Sequence, residues 1–189
     1  NWENVVLDGS SIAFVDNQLV TGSDAGNGLS LVNSATLDAG SGFALTGNLD
    51  IGAGSLLQAT GAGVFSFAGS VGNAGTMDFR NGVAGDQITV GGDYVGAGGA
   101  LHFDTSLGGD GSATDFLHVF GNVSGTTLLY VQALGGAGAQ TAQGIKLVQV
   151  DGTSSATAFS LGNSAPLEAG AYVYGLSFSD PANAARPGA

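Results

Sequence analysis

The sequence has no cysteine and very little positive charge. Of its 189 residues only three are lysine or arginine, against 15 aspartates and glutamates, which gives a formal net charge of −12. Without cysteine the chain forms neither disulfide bridges nor thiolate-bound zinc sites. Nucleic-acid backbones and anionic lipid surfaces are bound by clustered cations, so this acidic chain is a poor match for either. We expect no nucleic-acid partner.

Long hydrophobic runs are also missing. No apolar stretch is long enough to span a bilayer as a helix, no signal peptide is visible, and the first residue, Asn1, is not methionine. The sequence therefore indicates an excised or processed piece of a longer chain.

Glycine and short apolar runs dominate instead. Thirty-five glycines work against long helices, and a hydrophobic share of 43% with 10% charged residues is too apolar for a disordered chain. Collagen is excluded because no Gly-X-Y period is present. A length of 189 residues is sufficient to bury a core. These features predict an all-β fold of short strands and many turns.

A repeat is visible from Phe43 onward. Its anchor glycines lie 22, 23 and 29 residues apart, at Gly47, Gly69, Gly92 and Gly121. Apolar residues recur in four columns around them: Phe43, Phe65, Ile88 and Leu117; Leu45, Phe67, Val90 and Val119; Leu49, Val71, Tyr94 and Val123; Leu57, Phe79, Phe103 and Val131. A period of this size is typical of stacked repeats, and the alternation within each repeat is typical of strands with one buried face. Leucine-rich repeats need a denser Leu and Asn pattern, so we predict a parallel β-helix.

The longest interval contains a turn-rich segment between strand-like runs at Ala100–Thr105 and Phe116–Phe120. We predict a loop pushed out of an otherwise regular turn of the coil. Its predicted turn residues are Gly108, Gly109, Asp110 and Asp115. A calcium-binding nonapeptide is the alternative interpretation, but Ala113 occupies a position where that motif needs aspartate.

The pattern after Val131 is less regular. Strand-like segments joined by polar linkers are predicted at Thr127–Leu134, Gly144–Val150, Ala156–Leu161 and Ala171–Phe178. Stacked repeats need a cap, since an uncovered last turn exposes apolar surface and unpaired strand edges. We predict one or two further turns and a hairpin-like cap. The polar tail, residues 180–189, is predicted to be frayed.

Catalytic motifs are few. No Gly-x-Ser-x-Gly, Gly-x-Gly-x-x-Gly or P-loop pattern is complete. His102 and His118 lie between inward apolar residues and are predicted to be ordinary surface histidines. A polysaccharide lyase would need an outward column of aspartates beside a cation, but the positions that the repeat matches to Asp78, among them Leu56 and Tyr130, are not acidic. We expect no enzymatic activity, no metal site and no cofactor.

The stretch GGDYVGAGGALHFDTSLGGDGSATDFLHVFGNVSGTT, followed by GAGAQTAQGIKLVQVDG, AFSLGN and GAYVYGL, resembles the C-terminal end of the pertactin-like passengers of Gram-negative autotransporters. The similarity runs from about Asn81 to Phe178. It implies a right-handed parallel β-helix whose last turns form an autochaperone, at the bacterial surface or secreted, after export through the periplasm. It also implies two partners, the protein's own outer-membrane β-barrel and the upstream turns of the passenger.

Two functions are then open. In the first, residues 1–90 are turns of the passenger and residues 91–179 are a stable end that promotes its folding and translocation. The core and cap residues of that end are predicted to be Leu101, Phe103, Leu117, Val119, Ile145, Val148, Phe159, Tyr172 and Tyr174. In the second, the chain is an adhesin whose lateral β-helix face binds a host glycan or protein. An aromatic strip including Tyr94 and Tyr130 would serve it, although core or cap packing is the favoured interpretation of the tyrosines.

Overall fold

The computed structural model describes residues 3–14, 18–19 and 27–179, and within those ranges the chain consists of strands, turns and loops. No helix in the described part of the chain is long and apolar enough to cross a membrane. The strands are β1 (Asn4–Asp8), β2 (Ser11–Phe14), β3 (Gln18–Leu19), β4 (Gly28–Val32), β5 (Thr36–Ala39), β6 (Ala44–Leu45), β7 (Asn48–Ile51), β8 (Leu56–Ala59), β9 (Val64–Phe67), β10 (Val71–Asn73), β11 (Thr76–Asp78), β12 (Gln87–Val90), β13 (Tyr94–Thr105), β14 (Phe116–Val119), β15 (Val123–Ala133), β16 (Val148–Val150), β17 (Phe159–Leu161), β18 (Leu167–Ala169) and β19 (Tyr172–Tyr174). The predicted frayed tail lies outside the described residues.

The strands coil into a parallel β-solenoid. Strands three apart in sequence pair in parallel, as in β4 with β7 and β7 with β10, so each turn stacks on the turn before it. One sheet follows the order β1-β4-β7-β10-β13-β11-β8-β5-β2, with β15 and β17 stacked on β13, and a second follows β16-β14-β12-β9-β6-β3. Among the strands of the described residues, only β18 and β19 pair antiparallel, forming a separate two-stranded hairpin at the C-terminal end. The predicted coil and hairpin-like cap are confirmed.

Three of the four predicted apolar columns stack as expected. Leu45 pairs with Phe67, and Phe67 continues to Val90 and then Val119. The column from Leu49 to Val123 is likewise in register. These side chains point into a core whose members are almost all less than 2% exposed. The period-two alternation therefore identified the buried face correctly.

The fourth column was wrong by two residues at its start. Leu57 pairs with Met77, and Met77 pairs with Leu101. Phe79 instead stacks on Ala59, two residues after Leu57. The corner between β7 and β8 has four residues and the corner between β10 and β11 has two, so a fixed offset from the glycine fails there. The same shift places Gln58, not Leu56, beside Asp78.

Aromatic rings form two stacks inside the coil. Phe14, Phe43 and Phe67 have centroids 5.6 and 6.2 Å apart in succession. Phe65 and Phe79 lie 5.2 Å apart, and Phe103 lies 6.2 Å beyond Phe79. Each fully buried large apolar side chain contributes roughly 1.5–3 kcal/mol. The rings link successive turns through the core as well as through the sheets.

A polar ladder runs along the corner that follows each anchor glycine. The Asn48 side chain accepts the Ser70 N–H at 2.9 Å, and the Ser70 hydroxyl accepts the Asp93 N–H at 3.1 Å. Asp93 accepts the Asn122 N–H at 2.7 Å, and Asn122 continues the ladder to Thr153. A Cβ at Gly121 would lie 2.5 Å from the Gly92 carbonyl oxygen. The repeat therefore has glycine at this corner because adjacent turns approach too closely for a side chain.

Candidate functional site

The candidate site is the C-terminal end of the coil. There the loop between β13 and β14 (residues 106–115), the linker between β15 and β16 (residues 134–147) and the β18–β19 hairpin meet. The loop is the predicted excursion between β13 and β14. Its base is closed by an antiparallel bridge between Thr105 and Thr114, whose hydroxyls are 2.8 Å apart. A turn at its tip is closed by the Ser112 N–H donating to the Gly109 carbonyl at 3.0 Å. The predicted loop is confirmed.

Asp115 binds three backbone groups beneath this loop. Its carboxylate accepts the N–H groups of Gly85 and Asp86 at 3.0 Å and of Asp104 at 2.7 Å. The residue is fully buried. Burial raises the pKa of Asp115 to about 6, because loss of solvent opposes its ionisation more than the three N–H donors support it. Asp115 thus joins the base of the loop to the turn below.

Two further carboxylates are buried beside it. Asp86 accepts the Gly63 N–H at 2.7 Å and the Asn81 amide at 2.6 Å, and burial raises its pKa. Asp104 accepts the Gly82 N–H at 2.7 Å. Asp86, Asp104 and Asp115 therefore accept backbone N–H groups from neighbouring turns at a corner where no strand pairing satisfies them.

Asp110, at the tip of the loop, binds the linker that follows β15. Its Oδ1 atom accepts the N–H groups of Ala142, Gln143 and Gly144 at 2.9 to 3.1 Å. Desolvation opposes ionisation of this carboxyl, but the three N–H donors outweigh it and lower the pKa of Asp110. The carboxylate fills a nest of successive amides and so fixes the linker against the loop.

The hairpin closes the end through Tyr174. The Tyr174 hydroxyl accepts the Ala139 N–H at 2.9 Å and lies 3.0 Å from the Gly108 carbonyl, to which it donates. One hydroxyl therefore connects the hairpin, the linker and the loop. A Cβ at Gly170 would lie 2.5 Å from the Ala137 carbonyl oxygen, so glycine lets the hairpin turn sit directly on the linker.

The predicted core and cap residues fall into three groups. Fully buried are Leu101, Phe103, Leu117 and Val119. Half-buried are Ile145, Val148, Phe159 and Tyr174. Tyr172 is 42% exposed. Of the predicted turn residues, Asp110 and Asp115 make the contacts described above, while Gly108 offers its carbonyl to Tyr174 and Gly109 closes the tip.

Several predicted elements at this end were wrong in extent. The strands predicted at Ala156–Leu161 and Ala171–Phe178 are reduced to β17 and β19, with three residues each. The strand predicted at Gly144–Val150 is reduced to β16, which begins at Val148, so Ile145 lies in the linker. The segment GNSAPLEAG was assigned to a linker, yet it contains β18, the hairpin partner of β19. A three-residue strand has no measurable period, and hairpin pairing depends on contacts beyond the segment itself.

Both histidines lie on the outer surface as predicted, but each has partners. His102 packs edge-on against Tyr130 at 4.8 Å, and its Nδ1 lies 3.4 Å from the Asp78 carboxylate. His118 Nε2 lies 2.9 Å from the Asp151 carboxylate. No group of three or more acidic or histidine side chains in the described ranges has a geometry that would hold a metal ion.

Sequence reasoning missed an outward row of rings on β14 and just beyond it. The ring centroids of His118 and Phe120 are 4.2 Å apart, and Phe116 lies 6.1 Å from His118 on the other side. Phe120 is 52% exposed. The alternation Phe-Leu-His-Val-Phe carried the signal, because residues 116, 118 and 120 share the face opposite the buried Leu117 and Val119.

Comparison with known proteins identifies the family of this chain. The family model described as Autochaperone Domain Type 1 matches residues 66–176, more than half of the chain. The chain is 43% identical over 107 residues to the probable autotransporter YfaL of Escherichia coli K12, covering 54% of this chain and 8% of that protein. It is 41% identical over 95 residues to the adhesin BmaC autotransporter of Brucella suis biovar 1, covering 48% of this chain and 3% of that protein.

A third relative is the uncharacterized protein YdeU of Escherichia coli K12, 44% identical over 100 residues, with 53% of this chain and 21% of that protein covered. The chain thus spans about a fifth or less of the length of these curated relatives. Its solenoid with a closed C-terminal end and the family match lead to one conclusion. The chain belongs to the type 1 autochaperone domains of autotransporter passengers, which promote folding and secretion of the passenger.

Proposed function

We propose that the capped C-terminal end is the most stable part of this passenger and acts as the template on which the preceding turns fold. The lengths of the strands carry the proposal. β13 and β15 have 12 and 11 residues and pair at ten positions, whereas the strands of the preceding turns in the same sheet have three to five residues each. The long ladder and the covered end support our assignment of the strongest cooperative unit to residues 91–179.

On this proposal, turns are added from the C-terminal end towards the N-terminal end, with residues 1–90 forming on residues 91–179. The parallel pairing of successive turns, as of β10 with β7 and of β7 with β4, gives each new turn a strand edge on which to form.

This direction suits a chain that leaves the cell through its own outer-membrane barrel. A stable end that folds outside the membrane would oppose return of the chain through the barrel. The partners are then the linked barrel and the upstream passenger turns, and the domain acts at the cell surface or on a secreted passenger without enzymatic chemistry. The long ladder between β13 and β15 and the hydrogen-bonded cap support this role.

The test uses the whole autotransporter that carries this segment, expressed in cells. Tyr174→Phe removes the hydroxyl that joins hairpin, linker and loop, and Tyr172→Phe removes an exposed hydroxyl two residues away on the same strand. We expect Tyr174→Phe to lower the amount of protease-resistant passenger at the surface several-fold and Tyr172→Phe to leave it unchanged. Equal amounts for both variants, with Tyr174→Phe less stable in the purified chain, would contradict the template role.

One observation supports a second function, adhesion through the lateral face. The outward row Phe116, His118 and Phe120 lies beside the polar side chains of Gln149 and Asp151, and the Gln149 amide is 3.3 Å from His118. Exposed rings next to amide and carboxylate groups are the chemistry that binds neutral sugars. The strong negative charge of the chain disfavours acidic glycans.

Binding to an array of neutral glycans tests this function. Phe120→Ser removes the exposed ring, and Val83→Ser is the matched control, since Val83 is also 52% exposed but lies in the loop before β12. The adhesion hypothesis expects a signal from the unmodified chain that Phe120→Ser lowers at least tenfold and Val83→Ser does not. No binding, or equal loss in both variants, argues against it.

A further inference from the structure

Three buried polar side chains form a chain of contacts across three turns of the coil. Asn73, Tyr94 and Thr127 lie on β10, β13 and β15, three successive turns, and are 0%, 0% and 2% exposed. The Asn73 amide donates to the Tyr94 hydroxyl at 3.1 Å, and that hydroxyl is 3.2 Å from the Thr127 hydroxyl. We call these three residues the polar core cluster.

The cluster lies where an inward column changes from apolar residues to small ones. The column runs through Leu7, Leu31 and Ile51 to Asn73, and then has glycine at Gly96 and at the exposed Gly125. A Cβ at Gly96 would collide with the Thr127 hydroxyl, and a Cβ at Gly125 with the Gly96 backbone. Gly96 therefore leaves the room that the Thr127 hydroxyl occupies, and Gly125 allows the two backbones to approach closely.

A bulge in the middle turn is part of the same arrangement. The pairing of β13 with β15 shifts between Ala97 and Ala100, and Gly98 within the bulge has a φ of +80°. The Asn73 amide also donates to the Ala100 carbonyl at 3.1 Å, directly after the bulge. Asn73 thus binds both the side chain and the backbone of the next turn at the point where the register changes.

The neighbouring apolar columns cannot select the register. One column contains Leu37, Leu57, Met77, Leu101, Leu129 and Leu161 in successive turns. The inward column two residues further along contains Ala59, Phe79, Phe103 and Val131, so a strand displaced by two residues in that direction would still set apolar side chains against apolar side chains. A buried amide or hydroxyl without a partner is disfavoured by roughly 1–3 kcal/mol. A strand displaced by two residues keeps its inward face but leaves the polar core cluster unpaired.

We propose that the polar core cluster sets the register in which β10, β13 and β15 pair, and thereby selects the alignment that the template passes to earlier turns. The inference about transfer rests on the proposed template function, whereas the register itself can be measured separately. In coiled coils, a single buried polar group can determine the register at a cost in stability. Removing the cluster should therefore affect alignment more than stability.

Cysteine cross-linking measures the register, because the natural chain has no cysteine. Val95 pairs with Ser124 in the native register and both are exposed, so Val95→Cys with Ser124→Cys reports the native alignment. Val95→Cys with Thr126→Cys reports a displacement by two residues. Each pair is placed in the unmodified chain and in a variant with Asn73→Leu, Tyr94→Phe and Thr127→Val, which is then refolded under oxidising conditions.

We expect the unmodified chain to cross-link through the native pair with at least tenfold preference. The triple variant should fold yet cross-link through both pairs to a similar extent. If the triple variant does not fold, the milder Tyr94→Phe with Thr127→Val, which leaves Asn73 bonded to Ala100, should still raise the displaced cross-link several-fold. Exclusive native cross-linking in a folded variant would overturn the inference. That result would leave the template function intact, since the order of stability along the chain is a separate measurement.

Discussion

The Tyr174 hydroxyl and the Ala139 backbone N–H form a 2.9 Å hydrogen bond between the C-terminal hairpin and the linker that follows β15. The same hydroxyl donates to the Gly108 carbonyl in the loop before β14. Residues 66 positions apart in sequence are therefore joined at one atom. This contact fastens the hairpin to the linker and the loop at the C-terminal end of the described coil.

Tyr174→Phe in the purified chain should lower the free energy of unfolding by about 1 kcal/mol or more. The reason is that both backbone partners lose their bond while the ring stays in place. Tyr172→Phe, on a side chain that is 42% exposed, should change it by less than about 0.5 kcal/mol. Urea unfolding followed by far-UV circular dichroism measures both. Equal effects would mean that the hydroxyl of Tyr174 does not fasten the cap.

Leu117→Ala should cost roughly 2–5 kcal/mol, since Leu117 is fully buried between Ile88 and Val148 in the stacked sheet. Ile145→Ala should cost clearly less because Ile145 is half-buried and lies in the linker. Denaturant midpoints of the two variants decide this. A loss for Leu117→Ala well under 1 kcal/mol would show that the inward face has been misassigned.

Asp115 should make stability depend on pH in mild acid. Its pKa is raised from an ordinary value near 3.8 to about 6, so the folded chain binds a proton more readily than the unfolded chain between these values. The stabilisation from this proton uptake is fully present below the pKa that Asp115 has in the unfolded chain, and it is lost as the pH rises to about 6. Asp115→Asn should flatten the decline in stability with rising pH, as measured by urea midpoints from pH 4 to 7. A decline of the same slope in the variant would assign it to other groups.

Gly121→Ala should lower the free energy of unfolding by more than about 1 kcal/mol. The reason is that the added Cβ would lie 2.5 Å from the Gly92 carbonyl oxygen of the preceding turn. Gly109→Ala is the matched control, since no atom lies within 4 Å of a Cβ at that position. Thermal midpoints of the two variants compare them directly. If Gly121→Ala unfolds at the temperature of the control, close approach does not explain the anchor glycines.

Much of the solenoid could be predicted from the sequence because period-two alternation and the anchor glycines each report a local requirement. The error at Leu57 arose at a corner, where residues can be added without moving any strand out of register. The hairpin strand β18 was missed because three residues carry no period. Burial of Asp115 could not be foreseen, since a carboxylate is usually exposed and its three N–H donors come from other segments.

The central claim, that the C-terminal end is the stable template, is tested most directly by native-state hydrogen exchange on the whole chain at increasing denaturant. We expect amides of β13 and β15 to exchange only with global unfolding, and amides of β1, β4 and β7 to exchange through smaller openings of lower free energy. In that case the stability of the coil falls with distance from the cap. If β4 and β7 are protected as strongly as β15, or more strongly, the C-terminal end is not the template.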